Sequence, residues 1–299
     1  MPARPLKYSL ICLLGLSLLV TGCSRIGLAY RNLDALVPWW VNDYVDLDPQ
    51  QKDWLDQRLA EHLEWHCRTE LPAYLDWLDQ SDQLLGSGRT GQQQVAAQLE
   101  ALSGAQRRVA DRLSPTLVEL VRGLSAEQVA DLQASIHDKH QELRDKYLEP
   151  PLPEQIEQRQ ERLEKRLKPW FGGLNPAQQT RIRSWSQGQG EQNRLWLEDR
   201  ARWQAELFAA LQQRQAADFP QRLQRLLAEP ETLQDDQYRV AFQHSRQAFI
   251  GLFSDLIKDA RPDQLEHLRA RLRQVRQDFS ELRCGDRPAL VVKDQTLPF

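Results

Sequence analysis

Three observations predict an all-α fold, an elongated bundle of many helices. Leu265, Leu268, Leu272, Val275, Phe279 and Leu282 recur at alternating steps of three and four, the seam of a helix packed along its length. Arg269, Arg271, Arg273 and Arg276 take other positions on the same cylinder. Glycine is sparse, at 14 of 299 residues, and no long alternating β-branched run is present. Finally, several apolar stripes begin at residues suited to starting a helix.

Taken in order, helices are expected at about 49–70, 72–85, 125–148, 153–168, 177–187, 191–214 and 217–228. A further stripe runs through Val95, Leu99, Leu102, Val109, Leu113, Leu117 and Leu120; Ser114-Pro115 should kink or split it. Tyr238, Phe242, Ser245, Phe249, Leu252 and Leu256 form another, widened by Ala241, Ala248 and Phe253. So broad a stripe suits a helix packed inside a bundle. Gly86 to Gly91 reads as a flexible loop, Pro150-Pro151-Leu152-Pro153 as a stiff one and Gly172-Gly173 as a turn. The proline segment could divide two subdomains; shared composition on both sides favours one body, 23–284, with a hinge at 149–153. In the tail, 285–299, Ala289-Leu290-Val291-Val292 reads as one short extended strand.

Four helix starts share a pattern: Leu47-Asp48-Pro49-Gln50-Gln51, Leu124-Ser125-Ala126-Glu127-Gln128, Leu174-Asn175-Pro176-Ala177-Gln178 and Ala260-Arg261-Pro262-Asp263-Gln264. Asp48, Ser125 or Asn175 can cap the first amides, and the glutamine three residues later can close a capping box. The fourth copy lacks a good cap, and unequal intervals exclude a fixed-period solenoid. The Leu124 copy also resembles the Leu-Thr-x-x-Gln motif of small periplasmic stress chaperones. Repeated use of a good helix start explains the pattern without any shared function.

Residues 1–22 read as a secretory leader. Arg4 and Lys7 form a basic start, Leu6 to Val20 is almost wholly apolar, and Leu19-Val20-Thr21-Gly22-Cys23 closes it. Those last five residues resemble the lipobox of bacterial lipoproteins, which implies cleavage before Cys23 and acylation of that cysteine. The apolar core is shorter than the ~20 residues of a spanning helix. Ser24, where an inner-membrane retention signal would place aspartate, implies the outer membrane, with the body facing the periplasm. Membrane lipid, through acylated Cys23, is then the first partner.

Loss of Arg4 and Lys7 moves the net charge from −3 to −5. A mildly acidic body argues against nucleic acid as a partner, because that footprint is a basic patch. Between Cys23 and Gly86, twelve acids face five bases. Solvated helix faces account for this surplus; an acidic surface for a basic partner is the alternative. Of four cysteines, Cys12 leaves with the leader and Cys23 takes lipid, so Cys67 and Cys284 remain in an oxidising compartment. They are expected to form a disulfide that staples the tail to the amino-terminal region. Two separate buried thiols are the alternative.

Tyr30, Leu33, Asp34, Trp39, Trp40, Asp43, Tyr44 and Leu47, followed by Trp65-His66-Cys67-Arg68-Thr69-Glu70-Leu71-Pro72-Ala73-Tyr74, resemble an uncharacterised family of proteobacterial lipoproteins defined as a domain of unknown function. The resemblance implies an anchored helical protein and no particular activity. It fades after about Leu85.

His62-Leu63-Glu64-Trp65-His66 places two histidines on one helix face, weak candidates for a metal. The zinc-protease pattern needs glutamate directly after the first histidine, where Leu63 stands. His137 and His140 form a second weak pair, with His140 expected to be buried. Trp39-Trp40 and Tyr44 suit either a membrane interface or the core, with Leu33, Leu36 and Val37 favouring the core. No nucleophile elbow or phosphate cradle is present. The expected role is a protein-binding or scaffold module of the envelope, with no cofactor and no enzymatic activity. A chaperone-like holder of unfolded clients comes second and a metal-dependent enzyme third.

Overall fold

The computed structural model describes residues 29–282 and Cys284. The leader, Cys23 and the expected strand at 289–292 lie outside them. Among the described residues the protein is an all-α bundle without strands. Its helices are α1 (Leu33–Asn42), α2 (Pro49–Trp65), α3 (Leu71–Gly86), α4 (Gln92–Arg122), α5 (Ala126–Leu148) and α6 (Leu152–Phe171). After these come α7 (Pro176–Gly188), α8 (Gln192–Gln212), α9 (Phe219–Ala228), α10 (Asp236–Lys258) and α11 (Pro262–Ser280).

The four recurring helix starts become the framework of the bundle. Asp48, Ser125 and Asn175 each accept from the amide three residues on, and Gln51, Gln128 and Gln178 each accept the cap's own amide in return. Even Arg261, a poor cap, has its amide held by Gln264 Oε1 at 3.1 Å. A capping glutamine used in this way keeps its side-chain amide free to donate elsewhere. Gln51 and Gln128 donate to each other, at 3.0 and 2.7 Å. Each also reaches a carbonyl just ahead of the other's helix: Gln51 to Gly123 at 2.9 Å, Gln128 to Asp46 at 2.8 Å. The starts of α2 and α5 are thereby locked together.

The starts of α7 and α11 repeat the device. Gln264 donates to Gln178 Oε1 at 2.9 Å and to Gly173 O at 2.7 Å. Gln178 donates to Leu256 O at 2.9 Å, and Asn175 supplies the reciprocal bond to Asp259 O at 2.8 Å. Gln178 and Gln264 are 0 % and 2 % exposed, and the bonds from Gln264 to Gln178 and from Gln178 to Leu256 O are made away from water. Gly172, at φ +68°, ends α6 in the left-handed conformation that glycine adopts freely. That turn delivers the Gly173 carbonyl to Gln264.

Apolar packing gathers around both locks. One core joins Trp54, Leu55, Leu120, Val129 and Ile136 to Leu207, Leu211, Phe219 and Leu223. Another joins Leu167, Phe171 and Ile182 to Leu252, Leu256 and Leu268. A smaller cluster sets Leu78 of α3 against Leu272 and Val275 of α11. The first and third cores draw on both sides of Pro150, so the proline turn does not divide the cores. Gln155 fastens that turn by donating to Pro150 O at 2.9 Å and Leu148 O at 3.3 Å.

Two expectations change. Helix α4 is not split at Pro115; it runs unbroken from Gln92 to Arg122. An interior proline costs about 3 kcal/mol, and tertiary contacts hold both halves. Before the proline Asp111 accepts from Gln224 at 3.3 Å, and after it Arg122 donates to Arg214 O and Ala216 O, each at 3.0 Å, while Ser114 Oγ donates within the helix to Ala110 O at 2.7 Å. The break expected between residues 70 and 72 is instead a π-turn, His66–Glu70, that carries α2 straight into α3. The acidic surplus is partly matched within the chain: Arg269 clasps Asp82 at 2.9 and 3.2 Å, and Arg276 bonds Asp79. Those arginines face α3 rather than solvent alone.

Gln178→Ala and Gln264→Ala should each cost about 2–3 kcal/mol, since each strands a buried partner. The double variant should lose less than the sum of the two. Urea denaturation of the four proteins checks this.

Candidate functional site

Two places concentrate polar chemistry. The first is the π-turn, where one extra residue per turn aims successive side chains in unusual directions; such turns recur at functional sites. His66 lies between two hydroxyls, with Nδ1 2.9 Å from Tyr30 Oη and Nε2 3.2 Å from Tyr74 Oη. Glu70 is 2 % exposed and is gripped by Arg108 through Nε at 3.0 Å and Nη2 at 2.8 Å. Cys67 is buried and joined to Cys284, with Cα atoms 5.7 Å apart. Cys284 itself is exposed. The bond joins a buried position in the π-turn to an exposed one past the end of α11.

His62 and His66 do not converge. His62 Nε2 turns to Thr116 Oγ1 of α4 at 2.7 Å, while both His66 nitrogens face tyrosines. Among the described residues no group of three or more His, Cys, Asp or Glu is placed to hold a metal ion. His140 is buried, as its stripe position implied. Burial lowers the pKa of His62, His66 and His140; Arg112 adds to the effect at His62, and Glu70 opposes it at His66.

The second place is a groove of about 640 Å³ bounded by α4, α5, α6, α7, α8 and α10. Tyr147, Trp185, Trp196, Tyr238, Phe242 and Phe249 give it an aromatic lining, and Leu99 and Leu102 form an aliphatic edge. Arg159, Arg162, Arg166 and Arg246 line it too, and no carboxylate does. Arg159 is buried in the floor, where only neutral oxygens receive it: Ser186 O at 2.9 Å, Gly190 O at 3.0 Å and Asn193 Oδ1 at 3.3 Å. Desolvation and the neighbouring Arg162 both lower its pKa, and a guanidinium stays charged in a protein. Arg162 lies over the Tyr147 ring, 4.8 Å from its centroid. Arg246 is paired outward with Glu100 at 3.0 Å. The groove therefore offers a positive, π-rich surface to whatever enters it.

Sequence reasoning missed this site. Leu102 and Phe242 were placed on buried stripes, yet both are exposed. The upper half of the α10 stripe lines the groove while its lower half, Leu252 and Leu256, enters the core. Two signals were available: Ser245 interrupting that stripe, and arginines at 159, 162 and 166, spaced to share a helix face.

These features define an all-helical protein framed by two glutamine locks, closed by a disulfide and opened on one side by an arginine-aromatic groove. The chain belongs to a family of unknown function, DUF6279, which it matches over residues 43–239. That span includes Gln51, Gln128 and Gln178, most of the groove and Cys67. Gln264 and Cys284 fall beyond it. No curated protein and no solved structure matches the chain.

Two outcomes are expected at the π-turn. Because the unfolded chain binds protons more readily than buried His66, stability should be complete above a pH of about 6.5 and decline as pH falls below it. Thermal melts of wild type and His66→Gln across that range should show the variant losing less. Separately, the bridge closes a loop with a sequence separation of 217 residues, for which chain entropy gives roughly 5 kcal/mol. Cys284→Ser or reduction should lower the melting temperature by several degrees.

Proposed function

We propose that this protein is a bacterial lipoprotein of the proteobacterial type, acylated on Cys23 and held at the outer membrane with its body in the periplasm. There it acts as a protein-binding module of the cell envelope rather than as an enzyme. The lipobox-like Leu19-Val20-Thr21-Gly22-Cys23 supports the anchor. The observation that carries the binding role is the groove, where four arginines and six aromatic rings gather without one carboxylate. A partner segment bearing carboxylates beside apolar side chains is the complement of that lining. Guanidinium groups offer it paired hydrogen bonds, and the rings offer contact area at low entropic cost.

A chaperone-like holder is the second reading. It draws on the open apolar edge at Leu102 and Phe242 and on the helix start at Leu124. A holder would take many unrelated clients through apolar contact. A binding module would take a defined partner and depend on charge.

The test is photo-crosslinking in intact cells from a reactive residue placed at Phe242. A discrete crosslinked band, lost in Arg162→Glu with Arg166→Glu and weakened tenfold or more by rising salt, is the expected result. A salt-insensitive smear that survives the arginine changes would favour the holder. In the same cells, Cys23→Ser should accumulate as unprocessed precursor; normal maturation would sink the anchor.

A further inference from the structure

We infer that the outer face of α1 is a membrane-seating surface: Leu36, Trp39 and Trp40 lie in the interfacial layer of the bilayer that holds the anchor. Helix α1 contains no buried residue. One side of it meets the body, where Val41, followed by Tyr44 just past the helix, packs on the first core. On the other side Leu36, Trp39 and Trp40 are 43 %, 65 % and 57 % exposed. Steps of three and four put these three on one face. They stand among only seven large hydrophobic side chains exposed in the described residues. Core packing thus holds for Tyr44 and fails for Trp39 and Trp40, which stay outside the core.

The occupant follows from position and chemistry. Leu33 lies ten positions after Cys23, so a fully extended tether reaches at most about 35 Å. With Cys23 acylated, α1 cannot leave the neighbourhood of the headgroups. At ten residues the helix is far too short to span, and no helix among the described residues is long and apolar enough to cross a membrane. Indole rings favour the headgroup boundary, where an apolar body and a polar N–H are both satisfied. Helix α1 carries no lysine or arginine, and its only charge is Asp34. Seating is therefore driven by the rings, not by attraction to anionic lipid, and the body is docked rather than swinging on its tether.

The nearness of the membrane rests on the lipoprotein reading; the character of the face does not. The experiment uses the acylated full-length product, reconstituted into zwitterionic phosphatidylcholine vesicles with bromine on the upper acyl carbons. Tryptophan emission should be quenched, and Trp39→Phe with Trp40→Phe should remove at least half of that quenching. The quenching should persist in about 1 M salt, where the Debye length is only about 3 Å. Because both rings are exposed, the variant should keep the wild-type melting temperature, which is measured alongside. Failure of the protein to enter vesicles would count against the anchor. Entry with no quenching, or with quenching unchanged in the variant, overturns the seating. Self-association that disappears in the variant while quenching is absent overturns it too, and assigns the face to a second copy.

Discussion

A helix start leaves amides without partners, and this protein satisfies them with glutamines that have a second task. Each glutamine oxygen closes its own capping box, and the amide nitrogen beside it donates across the bundle. The bond that ends one helix correctly also sets where a distant one begins. Residues 77 apart meet in one lock and residues 86 apart in the other. Apolar packing is tolerant of sliding, whereas several directed amide bonds between two helix starts are not. The register of α2 against α5, and of α7 against α11, depends on these locks, and the cores condense around them.

Charge is arranged with the same economy in one region and withheld in another. Acids of α3 meet arginines of α11 across a helix interface, so the acidic stretch and the basic seam answer each other. At the π-turn a buried carboxylate has its arginine. At the groove, Arg159 has only carbonyl and amide oxygens. Arg159 is thus a buried cation received only by neutral oxygens, at a concave surface whose lining holds no carboxylate.

Much of this was legible in the residues and some could not be. Helix starts at Asp48, Ser125 and Asn175 are readable because capping is a local matter of a few bonds. That Gln51 would find Gln128 is not, since a capping box looks the same whether or not its spare amide is used. Apolar periodicity located α4 and α10 but could not tell Leu120, which is covered, from Leu102, which is not: period reports a face, not its neighbour. Pro115 misled because propensity is a local cost and the contacts that outweigh it come from residues about a hundred positions away. His62 and His66 share a stripe in sequence, yet the π-turn begins at His66 and sends the two rings to different partners.

The bridge between Cys67 and Cys284 also has a mechanical meaning. Tyr30 touches His66, so the incoming chain, the bridge and whatever follows Cys284 all meet at one corner of the bundle. A pull applied between the chain ahead of α1 and the chain beyond Cys284 would travel through α1, α2 and then the sulfur atoms. Residues 68–283, with both the groove and the second lock among them, lie off that path and stay slack under load. The bridge would act as a covalent strain relief, keeping tension along that path out of the loop that carries the groove.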